Sequence, residues 1–248
     1  MPKTIVVTGG SRGIGRAVAL RAGALGWSVG VGYHSDQGAA AGVAAAVEAA
    51  GGRAVAVAGD VSVEADVLEL FDATERALGR LHGVVVNAGV VGSAQRLVDM
   101  PEERLRRIVD VNVIGALLCA REAARRLAVS SGGEGGSIVL VSSAAARLGA
   151  PNEYVDYAAS KGAVDTLCLG LAREMAGDGV RVNAVRPGVI DTDIHASSGQ
   201  PDRASRLAPL IPAGRPGTPE EVAEAIVWLL GDEASYTTGA LLDVTGGR

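Results

Sequence analysis

Aromatic side chains are scarce, at 3% of the sequence with a single Phe, which argues against the aromatic-rich strand patterns of β-sandwiches and barrels. Lysine is nearly missing: 21 of the 23 basic residues are arginine, and the only lysines are Lys3 and Lys161. There is no basic cluster and the formal net charge is -5, which excludes a nucleic-acid surface, because phosphate binding needs concentrated positive charge. No apolar run reaches the roughly 18 residues needed to cross a bilayer. The opening MPKTIVVTGG has one charge and a short apolar run before its glycines, so neither a secretory signal nor a membrane anchor is expected, and a cytoplasmic location is. The two cysteines, Cys119 and Cys168, lie in apolar helical patterns and are expected to be buried free thiols, with no disulfide and no metal site.

What is abundant is glycine, alanine and aliphatic residues, which suit helices packed closely on a parallel sheet. The 248 residues can bury one large core. Short β-branched runs at 4–8, 28–33, 54–58, 83–87, 137–142, 181–185 and 240–244 alternate with long helical patterns, without repeats or a low-complexity linker. This predicts an α/β fold: a single doubly wound domain, with a seven-stranded parallel sheet and helices on both faces. Asp99 before Pro101 and Glu102, and Thr218 before Pro219 and Glu221, resemble capping boxes. Two stretches break the alternation. Residues 130–136, SSGGEGG, read as a solvent loop. The proline-rich stretch 187–219 is long for a connection and is expected to hold a substrate loop at about 188–217.

The first strand runs into TGGSRGIG, Thr8 to Gly15, and an apolar helical pattern starts inside it. Strand, glycine turn and helix in this order make a dinucleotide site. Gly9 permits the tight turn, Gly13 lets the backbone approach a pyrophosphate and Gly15 lets the helix pack on the strand, with Ser11, Arg12 and Ile14 completing the turn. The helix amino terminus then faces the phosphates. A ligand-free glycine turn is the alternative, weakened by this context.

Three residues separate Gly9 from Gly13, a longer spacing than the common dinucleotide fingerprint. In this the chain resembles the short-chain dehydrogenase/reductase family, and the resemblance runs over essentially its whole length. Asp60 and Val61 look like the family's adenine-contacting pair. Asn87-Ala88-Gly89 is similar to its NAG motif, with Val86 where an Asn usually precedes. Pro187, Gly188 and Thr192 look like the segment on the nicotinamide side.

Two tyrosines compete in NEYVDYAASK. Residues four apart share a helix face, and only Tyr157 has a lysine, Lys161, at that offset; Tyr154 would face Ala158. A tyrosine pKa near ~10 is high for proton transfer at neutral pH, and a nearby ammonium would favour the phenolate. A chain that otherwise uses arginine has kept a compact ammonium here, where a point charge suits hydroxyls better than a planar fork. Ser142 and Ser143 both end the fifth strand at the sheet's carboxyl edge, where ligands of such folds bind. Ser143 matches the family's strand-end serine, although it lies one residue further from Tyr157 than usual. Asn112 lies on an apolar stripe with Leu105, Ile108, Val109 and Gly115, and a buried amide needs partners. The resemblance implies an Asn that holds a water linking Lys161 to solvent; a satisfied structural Asn is the other reading, and both can hold together.

The function expected is hydride transfer between a nicotinamide and a small carbonyl or alcohol, with Tyr157 as general acid–base. A non-catalytic dinucleotide sensor is the alternative, and a sugar-nucleotide epimerase a third, although epimerases carry a larger second domain. NADP is expected over NAD, because Tyr33, His34 and Ser35 stand where an NAD enzyme places a carboxylate, Asp36 falls in the next loop, and Arg12 can reach the same pocket. His34 is counted among the cofactor contacts. The resemblance implies a homo-oligomer, a tetramer, consistent with apolar helical patterns at 105–127 and 157–175. It is compatible with 3-oxoacyl thioesters, sugars, polyols and small ketones. His195, Arg203, Arg206 and Arg215 offer polar contacts in the substrate loop, and each taken singly reads as solvated.

Overall fold

The computed structural model describes residues 3–192, 199–200 and 202–248. Among them seven parallel strands form one sheet: β1 (Thr4–Val7), β2 (Ser28–Tyr33), β3 (Arg53–Ala58), β4 (Gly83–Val86), β5 (Gly136–Val141), β6 (Val180–Pro187) and β7 (Leu241–Val244), in the order β3-β2-β1-β4-β5-β6-β7. Every expected strand is present, with ends shifted by no more than two residues. The order reverses direction between β1 and β4, and an open parallel sheet binds its ligand at the carboxyl end of that switch point.

The strands alternate their side chains between two cores. Ile5, Val7, Val85 and Val139 pack against α1 (Gly13–Ala24), α2 (Gln37–Ala49) and α9 (Pro219–Leu230), through Val18, Val47 and Ile226 among others. Val6, Val84, Val86 and Leu140 pack on the other face against α3 (Glu64–Leu78), α5 (Gly115–Leu127) and α7 (Val155–Met175), through Phe71, Leu127 and Val164. Both thiols sit in this second core, unpaired, and burial pushes each up to about 12. Among the described residues no group of side chains is set to hold a metal, and no helix is long and apolar enough to cross a membrane.

Of the two expected capping boxes, one forms. Thr218 Oγ1 accepts from the Glu221 N–H at 3.3 Å while the Glu221 carboxylate accepts from the Thr218 N–H at 2.8 Å, starting α9. Asp99 caps nothing. It closes a short turn, Leu97–Asp99, whose carbonyl accepts from the Gln95 amide, and extended Met100 separates it from α4 (Glu102–Val109), so Pro101 takes the cap position.

Between α4 and α5 the chain makes one wide, π-type turn, Asp110–Ile114, without leaving the helix axis. Ile108, Asn112 and Gly115 face inward as expected, but Val109 is turned out to solvent. Two short helices, α6 (Ala145–Leu148) and α8 (Arg203–Leu207), flank the carboxyl edge of the sheet.

Candidate active site

A cavity of about 1000 Å³ opens at the switch point, lined from β1 across to β6. Its floor at one end is the glycine turn. Gly9 has φ +63, a left-handed conformation, and an added Cβ would lie 3.1 Å from the Ala88 Cα. At Gly15 a Cβ would lie 2.3 Å from the Gly9 carbonyl, so only glycine lets α1 begin this close to the turn. The helix amino terminus therefore points its free N–H groups at the cavity. Gly13 faces Thr192 from β6's exit across the mouth, at 3.6 Å from an added Cβ.

Asn87 locks the turn. Its side-chain amide donates to the carbonyls of Thr8 at 2.9 Å and Gly9 at 3.1 Å, while Thr8 Oγ1 accepts from the N–H groups of Asn87 and Ala88, both at 2.9 Å. The NAG segment is thus a clamp on the glycine turn as well as a wall of the cavity. Ser11, Arg12, Gly13, Ile14, His34, Asp60, Val61, Ala88, Gly89, Pro187, Gly188 and Thr192 all line the cavity with Asn87; Gly15 is not in its lining. Asp60 is held below the usual carboxylate range, mainly by hydrogen bonds from Ser62, with His34 and Arg107 adding positive potential. Arg107 also lines this end, and nothing in its spacing from the glycine turn signals it. The Asp36 carboxylate lines the cavity beside Tyr33, His34 and Ser35, and it accepts from the Ala39 N–H at 2.9 Å as the cap of α2.

At the other end lie the two candidate serines and Tyr157. Ser142 is buried and donates to the Lys161 carbonyl at 3.1 Å, so its hydroxyl is used in holding α7 to the sheet. Ser143 lines the cavity with Tyr157, its oxygen accepts from the Ala145 N–H at 3.1 Å, and its hydroxyl lowers the pKa of the Tyr157 phenol against the effect of burial. Tyr154 is buried, lies 5.1 Å under the Arg203 guanidinium, and accepts a hydrogen bond from Gln200 at 2.9 Å. Lys161 is buried, its ammonium 5.6 Å from the Tyr157 ring centre, and it donates to the Val141 carbonyl at 2.7 Å. Asn112 is fully satisfied: it donates to Val90 O at 2.9 Å and Ser160 Oγ at 3.0 Å, and accepts from Val90 N–H at 2.8 Å. A Cβ on Gly89 would lie 3.3 Å from Asn112 Oδ1 and 3.4 Å from Lys161 Nζ, so amide and ammonium converge on one point.

The electrostatics differ from what the four-residue spacing implies. Burial raises the pKa of Tyr157; the hydrogen bond with Ser143 and the charge of Arg203 oppose it. Burial also holds the Lys161 ammonium, 5.6 Å from the Tyr157 ring centre, down to about 8, with Asp165 countering. Arg203, which reads as solvated in the sequence, is mostly buried in the cavity wall, paired with Glu153. Arg206 and Arg215 are exposed, Arg206 bonded to Gln200 and Arg215 paired with Glu221. His195 lies outside the described residues. Arg203 pairs with a residue fifty positions away, and such a contact leaves no local signal in the sequence.

A nicotinamide dinucleotide fits this arrangement. The glycine cradle and the α1 amino terminus suit a pyrophosphate, and Lys161 has one acceptor among the described residues, leaving donors for ribose hydroxyls.

A family model described as enoyl-(acyl carrier protein) reductase matches residues 9–248. An uncharacterized oxidoreductase of Escherichia coli (strain K12), YgfF, is 49% identical over 98% of this chain and 98% of its own. The 3beta-hydroxysteroid dehydrogenase 1 of Eggerthella lenta is 41% identical over 99% of this chain and 93% of its own. Among solved structures, a short-chain type dehydrogenase/reductase from Mycobacterium marinum superposes with a TM-score of 0.91 at 37% identity, covering 99% of this chain and 94% of that one. The chain belongs to the short-chain dehydrogenase/reductase family. It is an NAD(P)-dependent oxidoreductase acting on a small carbonyl or alcohol, and the non-catalytic sensor is set aside.

Proposed function

We propose that Tyr157 is the general acid–base of this oxidoreductase, that Ser143 holds the substrate oxygen, and that Lys161 and Asn112 keep the proton path supplied. The observation that carries this reading is that Ser143, Tyr157 and Lys161 line one cavity, with the Ser143 hydroxyl near enough to lower the pKa of the Tyr157 phenol. A carbonyl oxygen placed between the two accepts from both, so the charge that develops on it is stabilised as the proton arrives from Tyr157. The nicotinamide supplies or accepts the hydride when bound. Lys161 orients ribose hydroxyls with its remaining N–H bonds. Asn112 fixes the Gly89–Val90 backbone beside that ammonium, so its structural and catalytic roles coincide.

The phosphates fall to the backbone from Gly9 to Gly15, the adenine side to Asp60 and Val61, and the nicotinamide side to Pro187, Gly188 and Thr192. NADP is the proposed cofactor, supported by Arg12 and His34 in the cavity and by the capping role of Asp36. The segment at about 188–217 is the proposed substrate loop, supported by Val189, Ile190, Arg203 and Leu207 in the cavity lining. A homotetramer is proposed on the apolar residues that α4, α5 and α7 leave exposed, Val109, Leu117 and Leu169. Two buried, unpaired thiols suit a reducing compartment, and the cytoplasm is the proposed location.

Tyr157→Phe tests the core of this reading. The ring stays and the proton is lost, so NADPH binding, followed by fluorescence, should be near normal while turnover falls by about 10²–10⁴-fold. Retained turnover would refute the assignment.

A further inference from the structure

Beside Tyr157 the cavity wall is closed by Glu153, in the segment leading into α7, and Arg203, the first residue of α8. The Arg203 guanidinium donates to the Glu153 carboxylate and lies over the Tyr154 ring. Both side chains line the cavity, and they are only 14% and 32% exposed. The Arg203 bond to Glu153 uses Nη2 and its Nε–H is sealed from the cavity, so Nη1 is the nitrogen left to donate to a ligand among the described residues. Leu148, Pro151 and Leu207 line the same cavity and bring no polar side chain to it.

The pair therefore shows a ligand an acceptor and a donor side by side, with their charges cancelled. A hydroxyl group both donates and accepts, so it can satisfy Glu153 and Arg203 at once. A carboxylate only accepts, and it meets the repulsion of Glu153 in a partly desolvated site. An alkyl group strips water from the pair and returns nothing. We propose that Glu153 and Arg203 determine substrate specificity, selecting neutral, hydroxyl-bearing carbonyl or alcohol compounds over carboxylates and plain alkyl compounds of similar size. This rests on Tyr157 being the proton-transferring group, because the pair is placed relative to that hydroxyl. The Arg203 charge reaches the Tyr157 phenol, so the same residue couples recognition to the reacting oxygen.

The test compares kcat/KM for hydroxyacetone against butanone and pyruvate, and for glucose against glucuronate, in the full-length protein with saturating nicotinamide. The hydroxylated neutral member of at least one set should be favoured by about tenfold or more. Glu153→Gln keeps an acceptor but leaves Arg203 without a counter-charge, so the ratio of carboxylate to neutral substrate should rise by about tenfold. Arg203→Met should erase the advantage of the hydroxyl while carboxylates stay poor, because Glu153 is then unpaired. NADPH binding and thermal melting show that each variant is folded; if one is not, the other decides. Wild-type enzyme that prefers carboxylates or alkyl ketones, or that turns over no hydroxylated member, overturns the proposal, as do unchanged ratios in the folded variants. Retained turnover in Tyr157→Phe would instead sink the assignment of the acid–base, while the ratios in Glu153→Gln still report on the pair.

Discussion

Arg104, on α4, donates through Nε to the Asp156 carboxylate at 2.8 Å and through Nη2 at 3.2 Å, a paired contact buried one residue before Tyr157. The same guanidinium holds the carbonyl of Ser93, so the loop after β4 is tied to the start of α7. Asp156→Asn would leave Arg104 buried and uncompensated, and breaking a buried pair from one side costs about 3–5 kcal/mol. Urea unfolding should show a loss of that size, and kcat should fall with it because Tyr157 loses its anchor. A stability change under about 1 kcal/mol would mean that solvent reaches the arginine.

Ser142 and Ser143 should separate by role. Ser143→Ala removes the hydroxyl that lowers the Tyr157 pKa and should cost about 10²–10³-fold in kcat with unchanged NADPH affinity. Ser142→Ala removes the bond to the Lys161 carbonyl and should cost about 1 kcal/mol of stability, with a small loss of rate. Tyr154→Phe keeps the ring under Arg203 and should be mild. Equal rate losses at the two serines would contradict the geometry.

The buried ammonium of Lys161 gives a pH signature. Its folded pKa of about 8 lies below the usual lysine value of 10.5, so between these pH values the unfolded chain binds more protons and stability rises with pH. Below about pH 8 the burial cost is present in full. Lys161→Met should therefore show its most favourable stability difference from wild type below pH 8, shrinking as pH approaches 10.5, in unfolding titrations without cofactor. A difference that does not vary over that window would place the ammonium in solvent.

Cofactor choice is open to direct measurement. Wild-type kcat/KM should favour NADP, Arg12→Ala should reduce it for NADP more than for NAD, and Tyr33→Asp should shift the preference toward NAD by repelling the 2′-phosphate. Matching effects should appear in binding constants. A wild-type preference for NAD would overturn the assignment.

Light scattering at micromolar concentration should report a tetramer, and Leu117→Glu, on the exposed face of α5, should yield smaller species with intact NADPH binding. A wild-type monomer would refute the assembly.

The sheet was legible because its signals are local: seven β-branched runs, each followed by a helical pattern, and a glycine turn after the first. The Tyr157–Lys161 offset was legible for the same reason. Ser142 and Ser143 could not be separated by pattern alone, since both end the same strand; the structure gives Ser142 a bond to the Lys161 carbonyl and leaves Ser143 as the proposed partner of Tyr157. Asp99 read as a cap because its neighbours fit, but the Gln95 bond to its carbonyl sets it two residues too early. Arg104 with Asp156, Arg203 with Glu153, and Arg107 near Asp60 are made by tertiary approach across about fifty residues, and no spacing rule reaches that far.

The wide turn at Asp110–Ile114 has a further consequence for engineering. One residue corresponds to about 100° of rotation in a helix. Deleting a single residue there would restore a regular helix and swing everything on one side of the deletion by that angle, taking Asn112 out of register with Gly89 and Lys161 or carrying the exposed row of α5 into the core. The chemistry at one end of this helix and the outer surface at the other are set by the same inserted residue, so neither can be redesigned in length without moving the other.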